Sequence, residues 1–534
     1  MSEITLTRHL DMKPRKGSAF WLAFASMLVA LFLSALDMSA IPTALPTIVD
    51  DLEGGDKFIW VGSAYGLAST AILFPCSRFA DVFGRKHLLL ASITLFALGS
   101  ALAGAAQDMN LLIVARVVQG LGGGAIFLLT EIITSDLVPL AERGTYQGYL
   151  ILAYSMASGI GPVVGGVLSD KASWRWIFYL NLPVTGVAAF LTAVFLHVHS
   201  PEGSIWAKLV RMDWFGNALM VAGSTLTLIG LTWGGIRYSW SSAHVLIPLV
   251  LGIALMAIFF AYERAVVVEP TLPLDVLNNR TVLAANFATF VHGIVALAAI
   301  YYIPVYFQAC KGASPMRSSV DTLPIALVIS PFAILCGVTT KITQTYRPIN
   351  LLGWVLSIIG FGLLTLLRPT TPMGQLVGFQ FLMAAGVGIV WAAVIYPVLA
   401  PLPVTRIAAA LGFFSFCRSF AQTWGITIAG VILQNQLKSR LPKSFVARYP
   451  EGVEIAYATI PMIPSLEEPL KTEVQDAFAA SFSVIWKVMI GFCATGLLSV
   501  FLLKEIPMLR HTDGTYALKE RSAEMDAERA GVKP

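Results

Sequence analysis

The feature that most constrains this chain of 534 residues is a series of apolar runs that recur along nearly its whole length. Each run is about 20 residues long, and a helix of that length crosses the hydrocarbon core of a bilayer, which is roughly 30 Å thick. Only 13% of the residues are charged and the mean hydropathy is +0.74, whereas soluble domains carry about 25% charged residues. The sequence therefore predicts an all-α polytopic membrane protein, surrounded by the lipid bilayer.

The apolar pattern predicts fourteen transmembrane helices in groups of six, two and six. Prolines within the runs, at Pro42, Pro304 and Pro397, leave twelve or thirteen helices as alternatives. With fourteen helices, the predicted inner segments hold 21 lysine and arginine residues and the outer segments hold 12. Positive residues accumulate on the cytoplasmic side, so we expect both ends of the chain there.

This count divides the chain into two six-helix bundles with two additional helices between them. Such a duplication is typical of transporters whose substrate path runs between the halves, near the midplane of the membrane. The predicted parts are a cytoplasmic N-terminal tail (1–18), a first bundle (19–196), a linker with the two extra helices (197–280), a second bundle (281–505) that includes an external loop (434–480), and a cytoplasmic C-terminal tail (506–534).

Several ionisable residues fall deep inside the predicted helices, among them Asp37, Arg116, Glu131, His292 and Arg418. A charge in the bilayer interior is costly unless it is paired or hydrated, so each is a candidate functional residue. A buried carboxylate is easier to protonate than an exposed one, and a nearby arginine opposes that effect. We therefore expect Asp37, Glu131 and Arg116 to couple transport to protons. The alternative is that either acid only caps a broken helix or pairs with a neighbour.

The substrate cavity is expected to be largely apolar and aromatic. Trp391 and Tyr396 are candidate lining residues together with His292 and Arg418, although packing in the core explains the two aromatic residues equally well. A hydrogen-bonded interior histidine is the simpler interpretation of His292.

The short loop SRFADVFGRKHLLL (77–90) lies between the second and third predicted helices. Asp81 follows one helix, Gly84 permits a sharp turn, and Arg85 and Lys86 begin the next helix. Such a loop can bridge neighbouring helix ends and act as a gate. A plain positive anchor on the inner side would explain Arg85 and Lys86, but not Asp81 and Gly84.

The segment SGIGPVVGG (158–166) has the glycine content of a phosphate-binding loop, but it lacks a lysine and lies inside an apolar run. Gly161 and Gly165 are four residues apart, so they share one helix face and allow close packing. Gly166 follows them, and Pro162 removes one backbone hydrogen bond and bends the helix.

These segments resemble the major facilitator superfamily. The 77–90 loop is similar to that family's cytoplasmic signature, with Ser77 and Phe79 in place of the usual glycine and leucine. RVVQGLGGGA (116–125) resembles the fourth-helix motif, whose arginine is implicated in proton transfer, and GPVVGG (161–166) resembles the fifth-helix motif of the antiporters. Five further segments resemble the fourteen-helix drug:proton antiporter branch of this family: LDMSAIPTALPTI, WRWIFYLNLP, DLVPLAERGTYQG, YYIPVYFQACKGASP and FCRSFAQTWGITIAGVILQNQL. The last two resemble the fungal members of that branch.

Other classes of protein fit less well. No GxxxxGK[ST] segment is present for an ATP-driven pump, the seven histidines are dispersed, and the five cysteines show no CxxC spacing. We therefore expect no enzyme activity, no metal site and no cofactor. The net charge of +5 is not gathered in a patch, so nucleic acid is not an expected partner.

The function that follows is a proton-coupled antiporter that exports an amphipathic organic compound, such as a drug, toxin or secondary metabolite, by alternating access. We expect a monomer in the plasma membrane, with the vacuolar membrane as the alternative. Two functions compete with this one: transport of siderophores or amino acids by a protein of the same fold, and a sensor that transports nothing. The sequence does not reveal the cargo, because apolar cavities select by shape.

Overall fold

The computed structural model describes residues 17–52, 57, 59–198, 204–235, 238–267, 270–442, 445 and 459–508. Most of both predicted tails and the centre of the predicted external loop lie outside these residues. The described part contains eighteen α-helices and three short 3-10 helices, and no strand occurs in it. The predicted all-α architecture is confirmed.

The first half of the structure matches the first six predicted spans, with the sixth divided at Leu180. Its helices are α1 (Ser18–Asp51), α2 (Ile59–Phe83), α3 (Arg85–Gly104), α4 (Met109–Leu137), α5 (Leu140–Lys171), α6 (Arg175–Tyr179) and α7 (Asn181–Phe195). A middle section follows, with α8 (Ile205–Val210), the paired helices α9 (Trp214–Trp233) and α10 (Ala243–Ala265), and a 3-10 turn at Leu274–Leu277.

The second half contains the remaining helices, and two of its predicted spans are interrupted by single turns. They are α11 (Arg280–Lys311), α12 (Pro315–Asp321), α13 (Leu323–Thr343), α14 (Arg347–Leu364), α15 (Met373–Ala393), α16 (Ile395–Leu399), the 3-10 turn Val404–Arg406, α17 (Ile407–Arg440), the 3-10 turn Ile460–Ser465 and α18 (Leu470–Val500).

Prolines interrupt these helices less than the sequence suggested. Helix α1 continues through Pro42 and α11 continues through Pro304, whereas the break at Val394 comes just before Pro397. A proline removes one backbone hydrogen bond, and in α1 and α11 the packing around the helix tolerates that loss. Pro42 and Pro304 therefore do not interrupt their helices.

The structure narrows the predicted external loop at both ends. Helix α17 continues past residue 434 to Arg440, and α18 begins at Leu470. Hydropathy ends the spans too early because these helix ends mix polar residues with buried ones: Leu437, Val474 and Phe478 pack into the core. A helix can continue beyond the membrane as long as one face remains packed.

Twelve helical segments in the described residues are long and apolar enough to cross a membrane. Helices α2 and α17, with 25 and 34 residues, are not among the twelve. At 1.5 Å per residue both exceed the roughly 30 Å of a bilayer core. The exact number of fourteen spans is not established by length and composition.

Helix packing defines two bundles and the two most extensive contacts that join them. In the first half α1 packs on α5, and α4 packs on both α2 and α3; in the second half α15 packs on α13 and α14, and α11 packs on α17 and α18. The halves meet where α5 packs on α13 and where α2 packs on α17. The accessory pair α9–α10 is attached mainly through α9, which contacts α2 and α17.

Candidate functional site

Asp37 is the centre of a buried polar network in the first half. The residue lies in α1 and is 1% exposed. Its carboxylate accepts hydrogen bonds from Arg116 Nη1 at 2.5 Å, from Gln119 Nε2 at 2.8 Å and from Asn181 Nδ2 at 2.8 Å. Arg116 is also 1% exposed, so the two opposite charges compensate one another away from water.

A second set of contacts fixes the arginine and the two amides. Tyr65 of α2 stacks its ring 4.5 Å from the Arg116 guanidinium carbon, and its hydroxyl pairs with Ser34 at 2.7 Å. Ser100 of α3 accepts from both Gln119 and Asn181. The sequence pointed to Asp37 and Arg116 but missed Gln119 and Asn181; their signal was a polar side chain inside an apolar run, three residues from Arg116 in one case.

The glycines after Arg116 let α4 approach its neighbours. A side chain at Gly122 would lie 2.5 Å from the backbone nitrogen of Phe96 in α3, and one at Gly120 would lie 2.5 Å from the Tyr65 carbonyl in α2. Real Cβ atoms do not come so close to backbone, so only glycine permits this packing. The GLGGG segment thus lets α4 pack closely against α2 and α3 next to Arg116.

Glu131, the second predicted acid, lies far along α4 and is not part of the Asp37 network. It is 3% exposed, and its Oε2 accepts a hydrogen bond from Ser415 Oγ of α17 at 2.5 Å. Arg418, one turn further along α17, interacts with Glu131 electrostatically. Glu131 therefore connects the two halves, whereas every described partner of Asp37 belongs to the first half.

Three of the four predicted cavity residues lie together in the second half. The Arg418 guanidinium carbon lies 4.5 Å from the ring centre of Trp391 and 4.4 Å from that of Phe414, and Arg418 Nη2 donates to the Trp391 carbonyl. The His292 ring contacts Trp391 edge-on, and its Nε2 is 3.0 Å from the Val387 carbonyl. Trp391 is partly exposed, whereas His292 and Arg418 are buried.

Tyr396 lies apart from these three. It is fully buried, and its hydroxyl accepts the backbone N–H of Gly144 in α5 at 3.0 Å. The helix is interrupted at Val394, and the short helix α16 that follows lies between the halves. Tyr396 is therefore part of the contact between them. It has no exposed surface with which to line a cavity in this conformation.

The predicted gating loop brings the ends of four helices together. Gly84 has a φ of 91°, a conformation that favours glycine. Arg85 pairs with Asp81 at 2.8 Å and with Asp136, at the end of α4, at 3.0 Å. Lys86 donates to the Ala193 carbonyl at the end of α7. Sequence reasoning missed Asp136, which is 51 positions from its partner Arg85.

The glycine segment of α5 packs against α1. A side chain at Gly161 would lie 3.0 Å from the backbone nitrogen of Ala40 and would overlap Ser39, and one at Gly165 would overlap the Ala40 carbonyl. The predicted close helix packing at these two positions is therefore present. Helix α5 continues through Pro162. Gly166 does not take part in this packing, because a Cβ built there has no neighbour within 4 Å.

We call the end of the molecule that carries Gly84 the loop end and the opposite end the far end. At the loop end the halves are in direct contact. Lys341 of α13 pairs with Glu142 of α5 at 3.2 Å, and a side chain at Gly412 of α17 would lie 2.5 Å from Ser77 Cβ of α2. Further along the same two helices, Thr70 and Ser419 share a hydrogen bond of 2.7 Å.

Toward the far end the same helices separate. Gly62 and Gly66 lie on the helix face of α2 that carries Thr70 and Ser77, because all four follow the helical repeat. No atom in the described chain lies within 4 Å of a side chain built at Gly62 or Gly66. Gly166 of α5, on the face that carries Gly144, is open in the same way. The halves are therefore in contact at the loop end, and these faces of α2 and α5 are open toward the far end, where Gly159 of α5 still approaches Leu323 of α13.

A comparison with protein-family models covers most of the chain. Residues 27–426 match the model of the Major Facilitator Superfamily. The chain belongs to this family. As a member it is a multi-pass integral membrane protein and a transporter of small molecules, and its described residues contain the many apolar helices that such a protein needs.

Two relatives are similar to the chain in sequence, and one solved structure is similar to it in fold. The chain is 36% identical over 530 residues to the efflux pump FUS6 of Gibberella moniliformis, covering 97% of this chain and 94% of that protein. It is 36% identical over 515 residues to the acurin A biosynthesis cluster MFS-type transporter of Aspergillus aculeatus, covering 95% and 93%. The fold is similar to that of the proton:xylose symporter XylE, with a TM-score of 0.55, 13% identity and coverage of 94% and 98%.

Proposed function

We propose that this protein is a proton-coupled antiporter that exports an amphipathic organic compound by alternating access. The relatives support the direction of transport, because FUS6 is named an efflux pump and the acurin A protein belongs to a biosynthesis cluster. A secondary metabolite is therefore our proposed cargo class. Import of siderophores or amino acids, and a sensor without transport, find no such support.

The observation that carries the proposal is the enclosed pair of Asp37 and Arg116. Protonation of Asp37 would leave the arginine charge buried without its counter-charge. Removing one partner of a buried pair costs about 3–5 kcal/mol, so each proton that binds favours a rearrangement of α1 against α4. Gly161 and Gly165 hold α5 directly against α1, and α5 reaches the second half through α13. A change at Asp37 thus has a short route to the contact between the halves.

The proposed cycle assigns the loop end to the cytoplasm, with both chain ends there and fourteen helices spanning the membrane. The conformation described above then faces outward. Asp37 takes a proton from outside while cargo leaves, and releases it inside as new cargo binds. Arg85, held by Asp81 and Asp136, keeps the ends of α2 and α4 together while the inner side is closed.

The cargo site we propose is the surface near Trp391, bordered by His292 and Arg418. A partly exposed indole offers an aromatic face to a flat apolar compound. The acid of the other half, Glu131, lies near Arg418 and is a second candidate for the proton. We place the protein as a monomer in the plasma membrane, organised as two bundles (19–196 and 281–505) with the accessory pair between them.

Asp37→Asn tests the proposal, because it removes the charge with little change in shape. Purified protein in proteoliposomes would receive an imposed pH gradient and a panel of amphipathic aromatic compounds, with cargo uptake and proton movement measured together. We expect wild-type protein to move cargo against protons and Asp37→Asn to lose at least about tenfold of the gradient-driven rate. Asp50→Asn is the matched control, since Asp50 lies on the same helix but is exposed.

Retained downhill exchange of cargo in Asp37→Asn would show that the variant is folded and only uncoupled. Gradient-driven transport at the wild-type rate in Asp37→Asn would refute the role of Asp37. If no pH gradient moves any compound of the panel in wild-type protein, the proposed coupling is wrong.

A further inference from the structure

Two carboxyl groups meet at the loop end of the accessory helix pair. Asp213 precedes α9 and caps it, with Oδ1 accepting the Gly216 N–H at 2.9 Å. Glu263 lies in the last turn of α10 and is 3% exposed. Asn217 contacts Asp213 and Thr271, and Thr271 contacts Glu263, so the two carboxyl groups share the same small set of neighbours. Two like charges so close in a buried place need neutralisation by a proton or by a cation.

The oxygen atoms at this place are incompletely used. Among the described residues, no hydrogen-bond partner exists for Asp213 Oδ2, Glu263 Oε2 or the amide oxygen of Asn217, and all three atoms are buried. Asn217 as a whole is only 5% exposed. A buried polar atom without a partner destabilises a fold, so three of them together point to a bound group that satisfies them.

The neighbouring contacts fix where these oxygens lie. Asn217 Nδ2 donates to the Asp213 carbonyl at 2.6 Å and to Thr271 Oγ1 at 3.3 Å. The Thr271 N–H in turn donates to Glu263 Oε1 at 3.0 Å. The amide of Asn217 is therefore held between Asp213 and Thr271, and Thr271 links it to Glu263.

A shared proton would satisfy part of this arrangement. It would join Asp213 Oδ2 to Glu263 Oε2 and would leave the Asn217 oxygen without a partner. A cation accepts electron pairs from all three oxygens at once and balances both negative charges. Carboxylates and amide oxygens are the ligands that hard cations prefer.

We propose that Asp213, Glu263 and Asn217 form a binding site for a hard divalent cation of the Mg²⁺ or Ca²⁺ class. Among the described residues, no group of three or more His, Cys, Asp or Glu side chains is placed to hold a metal. The proposed site differs from such a group because its third ligand is the amide oxygen of Asn217. A groove of about 430 Å³, lined in part by Asp213 and Tyr262, gives access from the loop end. Arg211 lines the same groove, and its charge weakens cation binding.

The site has a mechanical consequence. Thr271 belongs to the segment that leads from α10 toward the second half, and it is bonded to both Asn217 and Glu263. A bound cation ties α9, α10 and this segment together. The inference does not depend on proton antiport, because it concerns the accessory pair and not the Asp37 network.

The test uses the full-length protein purified in detergent and stripped with chelator. Its Tm would be followed at pH 7.5 while MgCl2 or CaCl2 is added, with choline chloride holding ionic strength constant. We expect a saturable rise of about 2 °C in wild-type protein and none in Glu263→Gln or Asp213→Asn. Asparagine is also a good N-cap, so Asp213→Asn keeps the start of α9. Asp170→Asn, at an exposed position, should respond like wild type.

Isothermal titration calorimetry on the wild-type protein gives the binding directly and needs no variant. A heat of binding for Mg²⁺ or Ca²⁺ that disappears in Asp213→Asn supports the site. If neither cation binds wild-type protein, and its Tm instead depends on pH through Glu263, the two acids share a proton and the proposed site is wrong. Equal binding by wild type and both variants would also overturn it.

Discussion

The contact between α2 and α17 predicts that one methyl group can open the loop end. Gly412 of α17 faces Ser77 of α2, and a Cβ at position 412 would lie 2.5 Å from Ser77 Cβ and 2.6 Å from Ser77 Oγ. Carbon atoms in contact are about 3.5–4.0 Å apart. In Gly412→Ala the two helices must therefore separate by about 1 Å at this level, and the obstructing atoms belong to a short side chain that cannot swing away.

The cost falls on one conformation. Overpacking of this kind costs about 1–3 kcal/mol, and it applies only while the loop end is closed, because the two helices move apart when it opens. A bias of that size shifts the equilibrium about 5- to 150-fold. An open state with a population of about 1% in wild type would rise to roughly 5–60% in the variant.

Electron spin resonance distances between labels at His87 and Thr405 measure this shift. Both residues are exposed at the loop end, one in each half, and the five native cysteines would be replaced first. We expect a longer distance to gain population in Gly412→Ala. Gly362→Ala is the matched control, since no described atom lies within 4 Å of a side chain built there. It should give the wild-type distribution.

If Gly412→Ala is folded, as shown by its Tm, and keeps the wild-type distances, the predicted opening of the loop end is refuted. Such a result would mean that the α2–α17 contact does not separate during the cycle. A change of equal size in Gly362→Ala would mean that the labels report a general loss of packing.

Two further predictions concern charged groups. Glu131→Gln should lower proton-driven export at least about tenfold while downhill exchange of cargo continues; an unchanged driven rate in proteoliposomes would leave Asp37 as the remaining candidate. Beyond the membrane-spanning part of α1, the hydrogen bond from Arg175 lowers the pKa of Asp51 from its usual 3.8. The pair therefore stabilises the protein above pH 3.8 and loses its effect as the pH falls through the lowered pKa. Arg175→Gln should lower the free energy of unfolding by at most about 1 kcal/mol at pH 7, because both side chains are partly exposed, and the Tm difference from wild type should shrink as the pH falls below 3.8.

Local patterns predicted the helices well and the contacts between them poorly. Asp37 and Arg116 are conspicuous in sequence because a charge in an apolar run is rare, and the structure brings them together although 79 positions separate them. Gln119 and Asn181 complete the same network but carry no charge, so the argument from burial cost did not select them. Their role depends on the angle at which α4 and α7 meet α1.

A single sequence does not indicate which residues of the two halves contact each other. Glu131 and Ser415 are 284 positions apart, and no local feature of either residue indicates its partner. Tyr396 illustrates the same limit. Its aromatic side chain suggested a cavity wall, whereas the break at Val394 carries it into the contact with Gly144. Asp213 and Glu263 also meet only because α9 and α10 form an antiparallel pair.

The positions of the two buried acids imply different ways of sensing the transport cycle. Rocking of the halves as rigid bodies breaks the bond between Glu131 and Ser415, because those residues belong to different halves. The same motion leaves Asp37 with Arg116, Gln119 and Asn181, since all of them move together. If Asp37 carries the proton, the first half must therefore change internally, and α1 must shift against α4. The overlap that any side chain at Gly165 would create with Ala40 means that such a shift moves α5 as well, and with it the contact between the halves.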